Sequence, residues 1–262
     1  MRNPKTRSLA PEHARQYEND GYVVLSALFE KSELDHAVGL DMKRLLELQK
    51  SPDLSSRIEV GKDLQGQPYA IKLDGARKIH DRLIDLANDF RLTRVVSALF
   101  DEPALVFKDK LVFKPPAARG FPPHQDMAFG YHRLVTRVVS CMIALDAATV
   151  ENGCLEVVSG GHREGYLAGA EEEPPLECVS DDKWIPVPLD IGDVLFFDGM
   201  LPHRSGNNLT EQPRRVFIVT FSPASEEDHY ADYYAWRKEW VAAGFPTHFA
   251  SSYHWSSKTG LT

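Results

Sequence analysis

The chain has 262 residues, 43% apolar and 26% charged, the make-up of an ordinary soluble globular protein. Its formal net charge of −8 argues against nonspecific nucleic-acid binding, which needs a basic surface, but leaves room for a small anion in a locally basic pocket. No apolar run approaches the ~20 residues that cross a bilayer, and no apolar core follows the basic residues 1–7, so neither a membrane span nor secretion is expected.

In chain order, residues 11–19 read as a short helix stopped by Asp20-Gly21, and Tyr22-Val-Val-Leu25 as the first strand. A second helix is predicted from Ser32, whose hydroxyl can cap it, to about Lys50, with Leu34, Val38, Leu45 and Leu48 at helical intervals. Residues 51–67 are polar and rich in Ser, Asp and Gly, hence a loop. One or two helices follow between Lys78 and Phe100, with Leu83, Leu86, Leu92, Val95, Val96 and Leu99 on the apolar side. From Ala104 the pattern changes to short β-rich runs at 104–114, 134–145, 155–158, 184–188, 194–197 and 215–221, the spacing of a sandwich or closed barrel. Residues 171–175 form an acidic, proline-bearing loop. The final forty residues turn helical and aromatic again (Tyr230, Tyr233, Tyr234, Trp236, Trp240, Phe245, Tyr253, Trp255), suited to packing, a lid or a homodimer contact.

The expected architecture is one domain over 1–262: a mostly helical cap with the first strand (1–103), a jelly-roll core (104–222) and a helical aromatic tail (223–262). The three cysteines, Cys141, Cys154 and Cys178, lack paired spacing and read as buried thiols of a reducing, cytoplasmic compartment.

Chemistry concentrates in Phe121-Pro-Pro-His124-Gln125-Asp126 and, 77 residues beyond Asp126, His203. On a strand, the two-residue step of His-X-Asp places both side chains on one face. Two imidazoles and a carboxylate form the facial triad that binds non-haem Fe(II), although catalytic zinc accepts three such ligands too. Arg214, eleven residues past His203, separates these readings, because its fork of donors suits a carboxylate co-substrate. Strand parity sends its neighbour Arg215 to the opposite face. Asp193 and Asp198 are nearby carboxylates without a histidine two residues away.

Gly120-Phe-Pro-Pro-His124-Gln-Asp126, Glu151-Asn-Gly-Cys-Leu155, Asp190-Ile-Gly-Asp-Val-Leu-Phe-Phe197, His203-Arg-Ser205-Gly-Asn-Asn208 and Pro213-Arg214-Arg215 together resemble the phytanoyl-CoA dioxygenase family, from about Tyr17 to about Phe221. The resemblance implies a double-stranded β-helix (jelly roll, cupin-like), mainly β with flanking α-helices, that uses Fe(II), 2-oxoglutarate and O2. It implies His124, Asp126 and His203 as iron ligands and Arg214, assisted by Ser205, as the grip on the far carboxylate of 2-oxoglutarate. Lys114 and Gln125 are implied near the same co-substrate. Ser159-Gly160-Gly161-His162 departs from the family's usual Pro-Gly-Ser-His.

If Lys114 faces the cavity, alternation puts Val112, Lys110 and Lys108 on its side and Phe113, Leu111 and Phe107 on the other. Lys108 and Lys110 would then favour an anionic small-molecule substrate, or else solvate a strand end. Phe129 and Tyr131 are candidates for the substrate entrance, or core aromatics. His132, His162, His229, His248 and His254 read as packing or surface residues. The leading expectation is a hydroxylase releasing succinate and CO2. The alternatives are a metal-dependent hydrolase or isomerase, and a noncatalytic 2-oxoglutarate-binding protein.

Overall fold

In the computed structural model, which describes residues 9–35, 45–47, 50, 54–79, 81–128, 130–167 and 179–242, helix α1 (Pro11–Asp20) leads directly into strand β1 (Tyr22–Leu25). The turn between them is Gly21, whose left-handed φ of 80° closes the helix with an N–H donated to the Tyr17 carbonyl. Helix α2 (Lys31–Asp35) begins where the sequence places it and buries Leu34; Leu45 is helical and buried, whereas Val38 and Leu48 lie outside the described residues.

Residues 51–67 are not all loop. Strand β2 (Ile58–Lys62) lies within them and forms an antiparallel hairpin with β3 (Pro68–Asp74). The polar sequence hid this strand for a physical reason: Glu59 is buried because its carboxylate meets Lys72 of β3 at 3.2 Å, and the register shifts between Glu59 and Val60. Helices α3 (Asp81–Ala87) and α4 (Phe90–Phe100) follow, the latter capped by the Asp89 carboxylate accepting from the Arg91 N–H at 2.8 Å.

The remaining strands are β4 (Ala104–Lys114), β5 (Phe121–His124), β6 (Val139–Ala144), β7 (Leu155–Val157), β8 (Ile185–Val187), β9 (Val194–Asp198), β10 (His203–Ser205) and β11 (Arg214–Pro223). Strand β6 starts later than expected, because a 3-10 turn at Tyr131–Arg133 precedes it. Seven strands form one sheet in the order β1-β9-β6-β11-β4-β3-β2, and four form a second in the order β5-β10-β7-β8. Every strand pairing is antiparallel, and the two sheets face each other as a jelly roll.

Alternation along the long strands builds two cores. Leu111, Phe113, Cys141, Ile143, Phe196, Phe217 and Val219 pack outward against Leu83, Leu92, Val95 and Val96 of the helices. Val112, Met142, Leu195, Val216 and Ile218 point inward against Leu155, Val157 and Val187 of the small sheet. Phe107 departs from the expected alternation. A register shift opposite Thr220 and Phe221 carries it away from Leu111 and Phe113, and it packs with Met127, Tyr131 and Tyr233. Helix α5 (Tyr230–Ala242) lies against β4 and realises the helical aromatic tail as far as it is described. Among the described residues, no helix is long and apolar enough to cross a membrane.

Phe217 is fully buried between the large sheet and the helices. Phe217→Ala is expected to cost about 3–5 kcal/mol, read as a lower urea midpoint with an unchanged slope.

Candidate active site

His124 and His203 are cross-strand partners, opposite each other on β5 and β10, with ring centroids 4.0 Å apart. Each ring is oriented by the carbonyl two residues before it: His124 Nδ1 lies 2.8 Å from the Pro122 oxygen and His203 Nδ1 lies 2.9 Å from the Leu201 oxygen. A carbonyl only accepts, so both Nδ1 atoms carry the proton and both Nε2 lone pairs are free for a metal. Burial pushes both imidazoles below their ordinary range, His124 strongly, and keeps them neutral, the form that ligates.

Asp126 joins them, one donor atom from each of the three residues lying within 4.8 Å of the others. It gets there differently from the strand-parity expectation. Strand β5 ends at His124, and Asp126 opens a 3-10 turn (Asp126–Ala128), so the turn, not alternation, brings the carboxylate round. The floor of the large sheet then fixes it: Ser140 Oγ donates to Asp126 Oδ2 at 3.0 Å and shares a 3.0 Å hydrogen bond with Thr220 Oγ1. Burial alone would raise this carboxyl, but Lys110 and then Lys108 outweigh it and hold it well below the ordinary range.

The second group sits at the far end of β4. Arg214 is register partner to Lys114 and is buried, and its Nε and Nη1 have no hydrogen-bond partner. Burial lowers its pKa to about 10. Arg215, by contrast, forms a two-pronged pair with Asp146 at 2.7 and 2.8 Å, as opposite-face parity requires. The Lys114 ammonium donates to Ser205 Oγ at 2.9 Å, to the Gly206 carbonyl at 2.5 Å and to the Gly153 carbonyl at 3.2 Å. Its three protons are thereby spent on positioning Ser205 and the two loops beside Arg214. Burial, and then the neighbouring Arg214, push Lys114 far below the ordinary lysine range. Gly153 is required for this approach: its φ is 74°, and a Cβ there would stand 2.2 Å from the Gly206 oxygen.

Gln125 is also a positioning residue. Its amide donates to the Gly165 and Met200 carbonyls at 2.9 and 2.7 Å and accepts the Leu167 N–H at 3.0 Å, so both its protons are committed to loop backbone. Asp193 and Asp198 take structural work, accepting backbone N–H groups from Ala27 and Asp190 and from Met200. Asn152 and Asn208, quoted above only as motif letters, tie down the loops around Lys114; Asn208 Nδ2 donates to the Lys114 carbonyl at 2.9 Å.

Lys108 does not solvate a strand end: it is buried, its ammonium touching the Tyr131 hydroxyl and lying 3.5 Å from that of Tyr233. Burial lowers both Lys108 and Lys110 to about 8. Phe129 lies outside the described residues, as do Cys178, His248 and His254. His132 and His229 are occupied locally, by the Met127 carbonyl and by Asp232. Ser140, Thr220 and Arg237 are not among the site residues expected from the sequence, where Tyr233 stands only as one of the tail aromatics. A lone hydroxyl within Val138-Val139-Ser140-Cys141-Met142, and another between Val219 and Phe221, were the signals for the first two.

Because Ser140 anchors the carboxylate of the triad, Ser140→Ala is expected to weaken Fe(II) binding about 10–100-fold, measured by equilibrium dialysis, with the fold intact by circular dichroism.

Residues 17–216 match the family described as Phytanoyl-CoA dioxygenase (PhyH). The chain is 34% identical over 160 residues to the methylphosphonate hydroxylase of Gimesia maris, a match covering 60% of each protein. It is 27% identical over 242 residues to the 2-aminoethylphosphonate dioxygenase of an uncultured bacterium, covering 87% of each. Among solved structures, EctD from S. alaskensis with bound Fe shares the fold, with a TM-score of 0.68 at 22% identity over 86% of this chain and 80% of that one. The family match contains the triad, Lys114, Ser205 and Arg214, and helix α5 lies beyond it. The chain belongs to the phytanoyl-CoA dioxygenase family.

Proposed function

We propose that the protein hydroxylates a C–H bond of a small anionic molecule while 2-oxoglutarate is converted to succinate and CO2. His124, Asp126 and His203 hold the iron in this reading, and Arg214 with Ser205 holds the far carboxylate of 2-oxoglutarate. The observation that carries the assignment is the Arg214 guanidinium, buried with two nitrogens unpartnered at the far end of the strand from Lys108. Leaving such a cation unmatched costs several kcal/mol, on the order of a lost buried ion-pair partner, and a carboxylate docking on its fork removes that cost. A hydrolase or isomerase working without 2-oxoglutarate, or a noncatalytic scaffold, gives the guanidinium no such partner.

Iron, O2 and 2-oxoglutarate together supply the oxidising power for C–H cleavage. The chain's own residues supply placement. Ser140 and Thr220 keep the Asp126 carboxylate turned towards the histidines, and the two backbone carbonyls keep Nε2 of each ring facing inward. Lys114 acts through Ser205 and through its charge, a narrower role than direct contact with the co-substrate.

Lys108, Lys110 and Tyr131 form the substrate side. Lys108 and Lys114 are six residues apart on β4, roughly 20 Å along a strand, so the two anions dock at separate places, one at mid-strand and one at its end. The two relatives above are a methylphosphonate hydroxylase and a 2-aminoethylphosphonate dioxygenase, and a substrate with an acidic head suits the two lysines. In this reading one domain carries the whole site.

Anaerobic protein given Fe(II) and 2-oxoglutarate is expected to develop a weak visible charge-transfer band that needs both additions. The band should vanish in His124→Ala and demand more 2-oxoglutarate in Arg214→Ala. Stoichiometric iron binding with no band would sink the assignment.

A pH dependence follows from the lysines. Lys108 faces Lys110, Asp126, Asp74, Lys72, Arg237, Tyr131 and Tyr233, and burial dominates its shift to about 8. The protonated form binds an anion, so for a ligand of fixed charge KM is expected to stay level below about 8 and to climb as pH rises through it, at most about tenfold per pH unit for each lysine deprotonated. A KM that falls through that range would contradict the assignment.

A further inference from the structure

We infer that the substrate's acidic head is a doubly charged oxyanion of the phosphonate type, bound at Lys108 and Lys110, and that Arg237 of helix α5 sets the preference for two charges over one. This rests on the substrate side proposed above.

Two structural facts lead to it. First, helix α5 is pinned against β4. The Tyr230 hydroxyl donates to the Asp109 carboxylate at 2.9 Å, the Tyr234 hydroxyl donates to the Asp109 carbonyl at 2.7 Å, and Arg77 lies over the Tyr230 ring. That docking delivers Tyr233 to Lys108, and it delivers Arg237 to Asp74, with Nη2 at 2.6 Å from the carboxylate. Second, Asp74 is the register partner of Lys110, and Lys72 stands 3.8 Å from the same carboxylate and 3.2 Å from Glu59. Lys72, Lys108, Lys110 and Arg237 thus share one largely buried cluster beside the triad.

Among the described residues, the cluster's carboxylates other than the metal-facing Asp126 are Asp74 and Glu59. With Asp126 committed to the iron in the proposed reading, four cations against two carboxylates leave two positive charges over. Buried cations without matching anions are costly, and a ligand carrying two negative charges balances the cluster where a monoanion does not. Arg237 governs the count through Asp74. While Arg237 holds that carboxylate, Lys108 and Lys110 remain for the ligand. Without it, Asp74 turns on its strand neighbour Lys110 and consumes one of the two charges. Arg237 is therefore a specificity-determining positioning residue, and it lies outside the segment that matches the family.

The test uses two tetrahedral probes of similar shape, methylphosphonate and methanesulfonate, titrated calorimetrically into anaerobic protein loaded with Fe(II) and 2-oxoglutarate at a pH above the second ionisation of methylphosphonate, so that one probe carries two charges and the other one. Methylphosphonate is expected to bind at least about tenfold tighter. Arg237→Gln should bring the ratio to within about threefold of unity, while the charge-transfer band with iron and 2-oxoglutarate persists. Adding Asp74→Asn to Arg237→Gln should restore the preference, because it returns the surplus to two charges; a purely structural role for Arg237 gives no such rescue. Asp74→Asn alone should strengthen phosphonate binding, which tests the charge count even if Arg237→Gln fails to fold. Equal affinities in the unmodified protein, no binding of methylphosphonate, a ratio that survives Arg237→Gln, or no rescue would each overturn the inference. Loss of the band in the unmodified protein strikes at the iron and 2-oxoglutarate assignment instead, so the two failures are told apart.

Discussion

The register that sets His203 opposite His124 is the constraint on which the site depends, because neither histidine can be corrected by its own flexibility. Both rings are buried, and each is turned by the carbonyl two residues before it. A slip of one residue between β10 and β5 would carry Ser205 and His203 to the wrong face together, since side chains alternate with a period of two. Burying Leu155 and Val157 of β7 against the large sheet holds that register, because β10 also pairs with β7. Packing of the inter-sheet core thus decides where two nitrogen donors point.

The large sheet contributes the complementary half. Strand β11 runs between β4 and β6 and carries Arg214 at one end and Thr220 near the other. A single inward-facing row of residues across the sheet links Lys108, Thr220 and Ser140, and Ser140 reaches Asp126. The row next to the strand's other end pairs Arg214 with Lys114. Positive charge is thus concentrated at the middle of β4, on Lys108 and Lys110, and at its end, on Lys114 beside Arg214, with the apolar pair Val112 and Val216 between, and the triad faces this strand from the opposing sheet and the adjoining turn. In the proposed reading such an arrangement keeps two anions apart, so that the co-substrate and the substrate do not compete for one cation.

Much of this was legible in the sequence because the informative residues break a local pattern. His124, Asp126 and His203 stand out by residue type and spacing, and the apolar runs of β1, β4, β9 and β11 are distinct enough to be placed within a residue or two, whereas β5 and β10, short and flanked by Pro and Gly, were not read as strands. The gaps have physical causes. Strand β2 escaped notice because Glu59 and Lys62 give it a polar signature, while its pairing with β3 and the Glu59–Lys72 contact make it a strand. The route of Asp126 depends on a 3-10 turn, and no two-residue spacing reports whether a strand continues through it. Lys114 and Gln125 were legible as site residues, but their hydrogen bonds to Ser205 and to loop carbonyls, which make them positioning groups, depend on loops distant in sequence.

Residues of α5 were the least legible and bear most on specificity. A run containing Tyr230, Tyr233, Tyr234, Trp236 and Trp240 sets its aromatics on one side at helical spacing, but Arg237 falls among them and Ala231 and Ala235 lie opposite, so the apolar stripe is weakly marked. The docking face is chosen by polar contacts instead, from Tyr230 and Tyr234 to Asp109. Asp109 is itself turned to the opposite side of β4 from Lys108 and Lys110, so one strand anchors the helix with one face and presents lysines with the other. The triad and the arginine clamp lie within the span matched by the family, and in the proposed reading they fix the oxidant. In that reading what the oxidant meets is set by Lys108 and Lys110 within the span and by Tyr233 and Arg237 beyond it, which would let substrate preference change by substitution in a peripheral helix without disturbing a single iron ligand.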